Sequence, residues 1–160
     1  MVPGTIVFLV ISPWLIFLAA RRLSAGLNLD SPHQLESALA LLALAIGLVL
    51  MVWSLVVLWR DGKGTPAPIA PTRKLVTTGP YRLCRNPVEL GTDLYIFAVG
   101  TWFDSLSTGL FCLLFAFLLG SLYIRLIEEQ ELKARFGNDY LRYRQRTPFM
   151  LPLPGKPRSS

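Results

Sequence analysis

Apolar residues in this chain fall in long unbroken blocks; they neither alternate with polar residues nor recur at every third or fourth position. Residues 37–59 and 105–124 hold no Asp, Glu, Lys or Arg. Each block is long enough, as a helix, to cross a hydrocarbon core of about 30 Å. A further apolar run covers residues 2–20 and stops at Arg21-Arg22, and a shorter one covers residues 87–103 and carries Gly91, Asp93 and Gly100. The first run lacks the basic start and the small-x-small site of a secretory signal, so it reads as a span. The pattern predicts an all-α polytopic membrane bundle in a single domain. Its four transmembrane helices lie at about 2–20, 37–59, 87–103 and 105–127, the last two forming a hairpin around Asp104 and Ser105.

Composition fits that picture: 52% of the 160 residues are hydrophobic and 16% are charged, too apolar for an ordinary soluble domain. The net charge of +6 does not point to nucleic acid, because the cations cluster at the ends of the apolar blocks. Two Arg follow the first block, six Lys or Arg lie between Arg60 and Arg85, none lies at the Asp104 turn, and eight follow from Arg125 onward. By the positive-inside rule the two dense regions, and with them both termini, are cytoplasmic, facing anionic headgroups. Arg21-Arg22 then face outward as an exception. Cys84 in a polar loop and Cys112 within an apolar block sit at different depths and read as free thiols. One His and two Cys make no metal cluster.

The stretch from Asp61 to Pro71 alternates Gly and Pro, which forbids regular helix and predicts an extended connector. Gly62-Lys63-Gly64-Thr65-Pro66-Ala67 matches G-x-G-x-x-A on paper. It follows a membrane helix and runs into prolines, so a dinucleotide fold is rejected. After a Gly79-Pro80 turn, Asn86-Pro87-Val88-Glu89 has the form of a capping box opening the third helix. A helix start with free N–H groups is also a site for a carboxylate. Tyr81, Arg82 and Arg85, taken alone, read as an interfacial aromatic with lipid-facing cations. Asp93, nearly two turns inside the third helix, is a functional candidate because an ionisable group there is costly; the competing expectation is that water still reaches it at that depth.

The fourth helix has no stop signal at the membrane surface. Residues 122–136 are strong helix formers as far as Gly137, so a cytoplasmic helical extension is expected, with Gly137 as its C-cap. Arg125 and Glu129 share a face, as do Glu129 with Lys133 and Glu131 with Arg135. Arg125 and Glu129 stand where the helix leaves lipid, where an unpartnered charge is expensive. After Gly137, Asn138-Asp139 opens a short basic helix, and Pro148-Phe149-Met150 turns apolar again as a lid or an anchor.

Two of these segments, LVTTGPYRLCRNPVELG and RLIEEQELKARFGNDYLRYRQRTPFMLP, resemble in order and separation the isoprenylcysteine carboxyl methyltransferases and their relatives, the phospholipid N-methyltransferases. The resemblance covers residues 73–152; the first two spans share with that family nothing beyond being apolar. It implies a membrane enzyme that binds S-adenosylmethionine in a cytoplasm-facing pocket and takes a lipid or lipidated acceptor, carboxylate or amine, from the bilayer. It further implies that Lys74, Leu75, Val76, Tyr81, Asn86, Pro87 and Glu129 hold the cofactor, and that Arg125 faces the acceptor or the cofactor carboxylate. Glu89 stands where the family has Tyr, so the prenyl-cysteine substrate is not carried over.

Methyl transfer from a sulfonium requires positioning and exclusion of water more than covalent help. Glu89 or Asp93 would take the proton of an amine acceptor, and with Arg125 these are the catalytic candidates. Two alternatives compete: an NADPH-dependent reductase of the sterol-reductase type, and a non-catalytic membrane adaptor.

Overall fold

The computed structural model describes residues 12–27, 31–62 and 72–150, and among these the chain is helical without strands. Helix α1 covers Ser12–Ser24, α2 His33–Gly62, α3 Pro87–Phe103, α4 Leu106–Tyr123 and α5 Glu129–Arg146. A 3-10 turn occupies Gly79–Arg82, and a π-helical turn, Ile124–Glu128, joins α4 to α5. Two helices are long and apolar enough to cross a membrane, His33–Gly62 and the continuous run Leu106–Arg146. Of the expected span at 2–20, residues 2–11 lie outside the described residues. The described part does not stop at Arg21-Arg22 as expected but continues as helix to Ser24. Residues 63–71 of the expected connector also lie outside.

Helix α2 explains why its sequence shows no amphipathic period. Its buried positions include Ala40, Ala43, Ser54 and Val57, whereas Leu41, Leu42, Ile46, Val49, Val52, Val56 and Trp59 are exposed. Small side chains packed inward and large apolar ones turned outward reverse the arrangement of a helix in water and suit a lipid surround.

The described chain divides into two compact units. In the first, residues 1–48 and 92–121, Ala20, Ile96, Cys112 and Ala116 form a core against Ile16, Phe17, Phe111 and Phe115. Around the hairpin between α3 and α4, Arg21 pairs with Asp104 at 3.0 Å, and the Thr108 hydroxyl donates to the same carboxylate. Glu36 accepts the Leu106 backbone N–H at 2.9 Å. Arg21, expected from the sequence to face outward as an exception, is ion-paired within its own unit. Gly109 permits close approach: a Cβ there would meet the Thr101 hydroxyl and, at 2.9 Å, the Phe97 carbonyl oxygen. Asp93 belongs to this unit and is 1% exposed, so water does not reach it as the sequence had allowed.

The second unit, residues 49–91 and 122–160, is built on Val57, Val76 and Tyr81 with Leu58 against them. The Gly62 carbonyl accepts the Arg73 N–H at 2.9 Å, and the Thr78 hydroxyl donates to Asp61 at 2.6 Å. These two bonds tie the stretch after residue 72 to the end of α2.

Candidate active site

Pro80 and Tyr81 are buried and anchor the 3-10 turn, which closes through the Tyr81 N–H to the Thr78 carbonyl at 3.2 Å and the Leu83 N–H to the Pro80 carbonyl at 3.0 Å. The turn directs Cys84, Arg85 and Asn86 inward just ahead of α3. Tyr81 and Arg85 therefore contradict the lipid-facing reading: Tyr81 packs in the core, and the Arg85 side chain is 10% exposed. Arg82 is exposed, as expected. Burial pushes the Tyr81 hydroxyl above its ordinary range, with the charge of Glu128 adding to the effect, and burial likewise raises the Cys84 thiol.

At the centre, the Arg85 Nη1 donates to Glu129 Oε1 at 2.5 Å and to the Tyr140 hydroxyl at 3.2 Å. Glu129, 11% exposed, also has Arg144 at 3.6 Å from its second oxygen. The Arg85 Nε is buried and has no hydrogen-bond partner among the described residues. A buried donor of this kind is suited to an acceptor such as a carboxylate.

The segment after α5 straps this cluster. Arg85 donates its backbone N–H to the Pro148 carbonyl at 2.9 Å, and the Asn86 amide donates to the Phe149 carbonyl at 2.9 Å. The Phe149 ring receives two guanidinium groups, Arg125 at 4.9 Å and Arg85 at 5.5 Å from its centroid. Met150 is 2% exposed. As far as residue 150, the tail expected to act as a lid or an anchor is a strap over residues 85 and 86.

Helix geometry decides what Arg125 and Glu129 do. Between them the chain takes a π turn, with the Glu129 N–H bonded to the Ile124 carbonyl, which places an extra residue in the turn and resets the register of α5. The two residues expected to share a face divide their work: Glu129 pairs with Arg85, and Arg125 covers Phe149. Arg135, expected opposite Glu131, donates to the Thr72 carbonyl. The sequence expects a break at Gly137, and there the backbone turns to φ +50° and ψ −123° before helix resumes.

The residues that the resemblance assigns to a cofactor divide into three groups. Lys74 and Leu75 line a cleft with Arg82 and Tyr143. Val76 and Tyr81 are core residues beneath that wall. Asn86, Pro87 and Glu129 belong to the Arg85 cluster or adjoin it in sequence. Glu89, half-buried on the first turn of α3, lies within electrostatic reach of Glu128, and Asp93 is in the other unit. The sequence reading missed Arg85, Tyr140, Arg144 and Phe149 as members of the cluster. A basic residue directly ahead of Asn-Pro, with an acidic one beyond the last span, was the available signal.

Comparison with protein families matches residues 35–139 to the family described as phospholipid methyltransferase. The match begins in α2, further upstream than the resemblance at 73–152, and ends at residue 139. No curated protein and no solved structure matches the chain. With 35–139 covering well over half of its length, the chain belongs to the phospholipid methyltransferase family of membrane methyltransferases, relatives of the isoprenylcysteine carboxyl methyltransferases.

Proposed function

We propose that this protein transfers a methyl group from S-adenosylmethionine to a lipid or lipidated acceptor, and that the donor is held at the Arg85–Glu129 cluster. The observation that carries this reading is the buried Arg85 Nε without an acceptor, beside the Glu129 carboxylate and ahead of the α3 N-terminus. These groups fit an amino-acid end. The Arg85 Nε–H receives a carboxylate, and Glu129 faces positive charge.

When bound, S-adenosylmethionine supplies a methyl group already activated on sulfur. The chain's own residues supply position and dryness. Lys74, Leu75, Val76, Tyr81, Asn86 and Pro87 form the wall that the resemblance assigns to the donor. Phe149, held by Asn86 and stacked under Arg125, excludes water from above Arg85. Arg125 orients the acceptor. For an amine acceptor, Glu89 takes the proton that the nitrogen must lose. The bundle is multi-pass with both termini cytoplasmic, and it acts at the inner lipid boundary without metal or nucleic acid.

The test is incubation of the purified chain with methyl-labelled S-adenosylmethionine and a total membrane lipid extract. A labelled lipid, absent with Glu129→Gln, supports the reading; label that stays wholly with the donor in every lipid fraction contradicts it.

A further inference from the structure

The second unit carries a feature that methyl transfer does not use. A cleft of about 890 Å³ lies between the stretch after residue 72 and the helix beyond Gly137, and its lining includes Arg73, Lys74, Arg82, Arg142 and Arg146. One carboxylate, Asp139, faces these five cations, and it is already bonded to Arg142 at 2.6 Å. Arg73, Lys74, Arg82 and Arg146 form no ion pair among the described residues.

The walls are fixed before any ligand arrives. The Tyr143 hydroxyl donates to the Tyr81 carbonyl at 2.7 Å, and Arg135 donates to the Thr72 carbonyl. Thr77 and Thr147 add hydroxyl groups to the lining. Such an excess of converging cations attracts anions. Acidic residues gather elsewhere, at Glu89, Glu128 and Glu129. Beside Arg82, the Leu83 side chain is 50% exposed, an apolar contact for an acyl chain next to a cationic contact for a headgroup.

We propose that this cleft is an anion site for a phosphate group, supplied by the headgroup of an anionic phospholipid, and that it is separate from the Arg85–Glu129 cluster. Lys74 borders both. The site does not depend on the methyltransferase reading.

The test titrates the full chain, purified in a neutral detergent, with dihexanoyl phosphatidic acid, dihexanoyl phosphatidylcholine, inorganic phosphate and S-adenosylhomocysteine in turn. Phosphatidic acid should bind the native chain and phosphatidylcholine should not. The Arg82→Gln/Arg146→Gln double variant should bind phosphatidic acid at least tenfold more weakly, since one cation near an anionic headgroup is worth about fivefold. Its protection by S-adenosylhomocysteine should be unchanged. Binding of inorganic phosphate with the same loss in the variant would identify the phosphate group alone as sufficient; binding confined to the lipid would identify the whole headgroup. Affinity of the native chain for phosphatidic acid should also fall as NaCl rises from about 50 to 500 mM. Equal binding by variant and native chain, no anion binding to the native chain, or salt-independent affinity would overturn the proposal. So would loss of S-adenosylhomocysteine protection in the double variant, which would place the cleft in the donor site. Intact anion binding without any S-adenosylhomocysteine binding would instead count against the methyltransferase reading and leave the cleft standing.

Discussion

Arg85 and Glu129, 44 residues apart in the chain, meet side chain to side chain at 2.5 Å with about a tenth of each exposed. Removing one partner of such a pair leaves the other charge buried and uncompensated. Glu129→Gln should cost about 3 kcal/mol of stability and abolish methyl transfer. A double variant, Arg85→Met with Glu129→Leu, should recover most of the lost thermal stability while remaining inactive. Thermal unfolding beside a labelled-methyl assay separates the two effects.

Phe149 is the ring that two guanidiniums share. Phe149→Ala removes both contacts, each worth about 0.5–2 kcal/mol depending on desolvation, and opens the strap above Arg85. Donor affinity should fall by roughly tenfold, an outcome in keeping with about 1.4 kcal/mol, and Phe149→Tyr should restore it. Calorimetric titration with S-adenosylhomocysteine checks both.

Gly137 and Gly109 should respond differently to alanine. At Gly137 nothing lies within 4 Å of a new Cβ, and the penalty is the backbone at φ +50° and ψ −123°, about 1–3 kcal/mol for a residue held in a sparsely populated region. At Gly109 the new Cβ meets the Phe97 carbonyl oxygen at 2.9 Å in a helix-to-helix contact, and backbone cannot yield as a side chain can. Gly109→Ala should therefore lower the melting temperature more than Gly137→Ala does.

Burial raises the folded-state pKa of the Cys84 thiol and the Tyr81 hydroxyl above their ordinary values of 9.0 and 10.0. The folded chain then keeps protons that the unfolded chain has lost at alkaline pH. Their contribution to stability is complete below about pH 9 and falls as pH rises beyond it. Melting temperature followed from pH 7 to 11 should decline above pH 9. Cys84→Ser and Tyr81→Phe together should flatten that decline, and alkylation of Cys84 should be slow until the chain unfolds.

The helices were legible where composition alone determines them. Pro87 and Phe103 bound α3 as the sequence reading has them, because Asn-Pro starts a helix and the polar Asp104 turn ends it. The break at Gly137 follows from the conformational freedom that glycine alone has. The π turn was not legible, since Ile124 to Glu128 are good helix formers in either register and packing selects between them. For the same reason the i, i+4 spacing of Arg125 and Glu129 did not reveal the partners they take. The role of Arg85 was hidden because an arginine beside a membrane span ordinarily faces headgroups; burial and the distant Glu129, neither visible locally, decide it.

The most direct test of the account is protection of the native chain from heat by S-adenosylhomocysteine, set against NADPH and repeated in the variant Arg85→Met with Glu129→Leu. Protection by S-adenosylhomocysteine alone, lost in that variant despite its retained fold, is the predicted result. Protection by NADPH, or protection by S-adenosylhomocysteine that survives loss of both charges, would contradict the claim that Arg85 and Glu129 form the donor site.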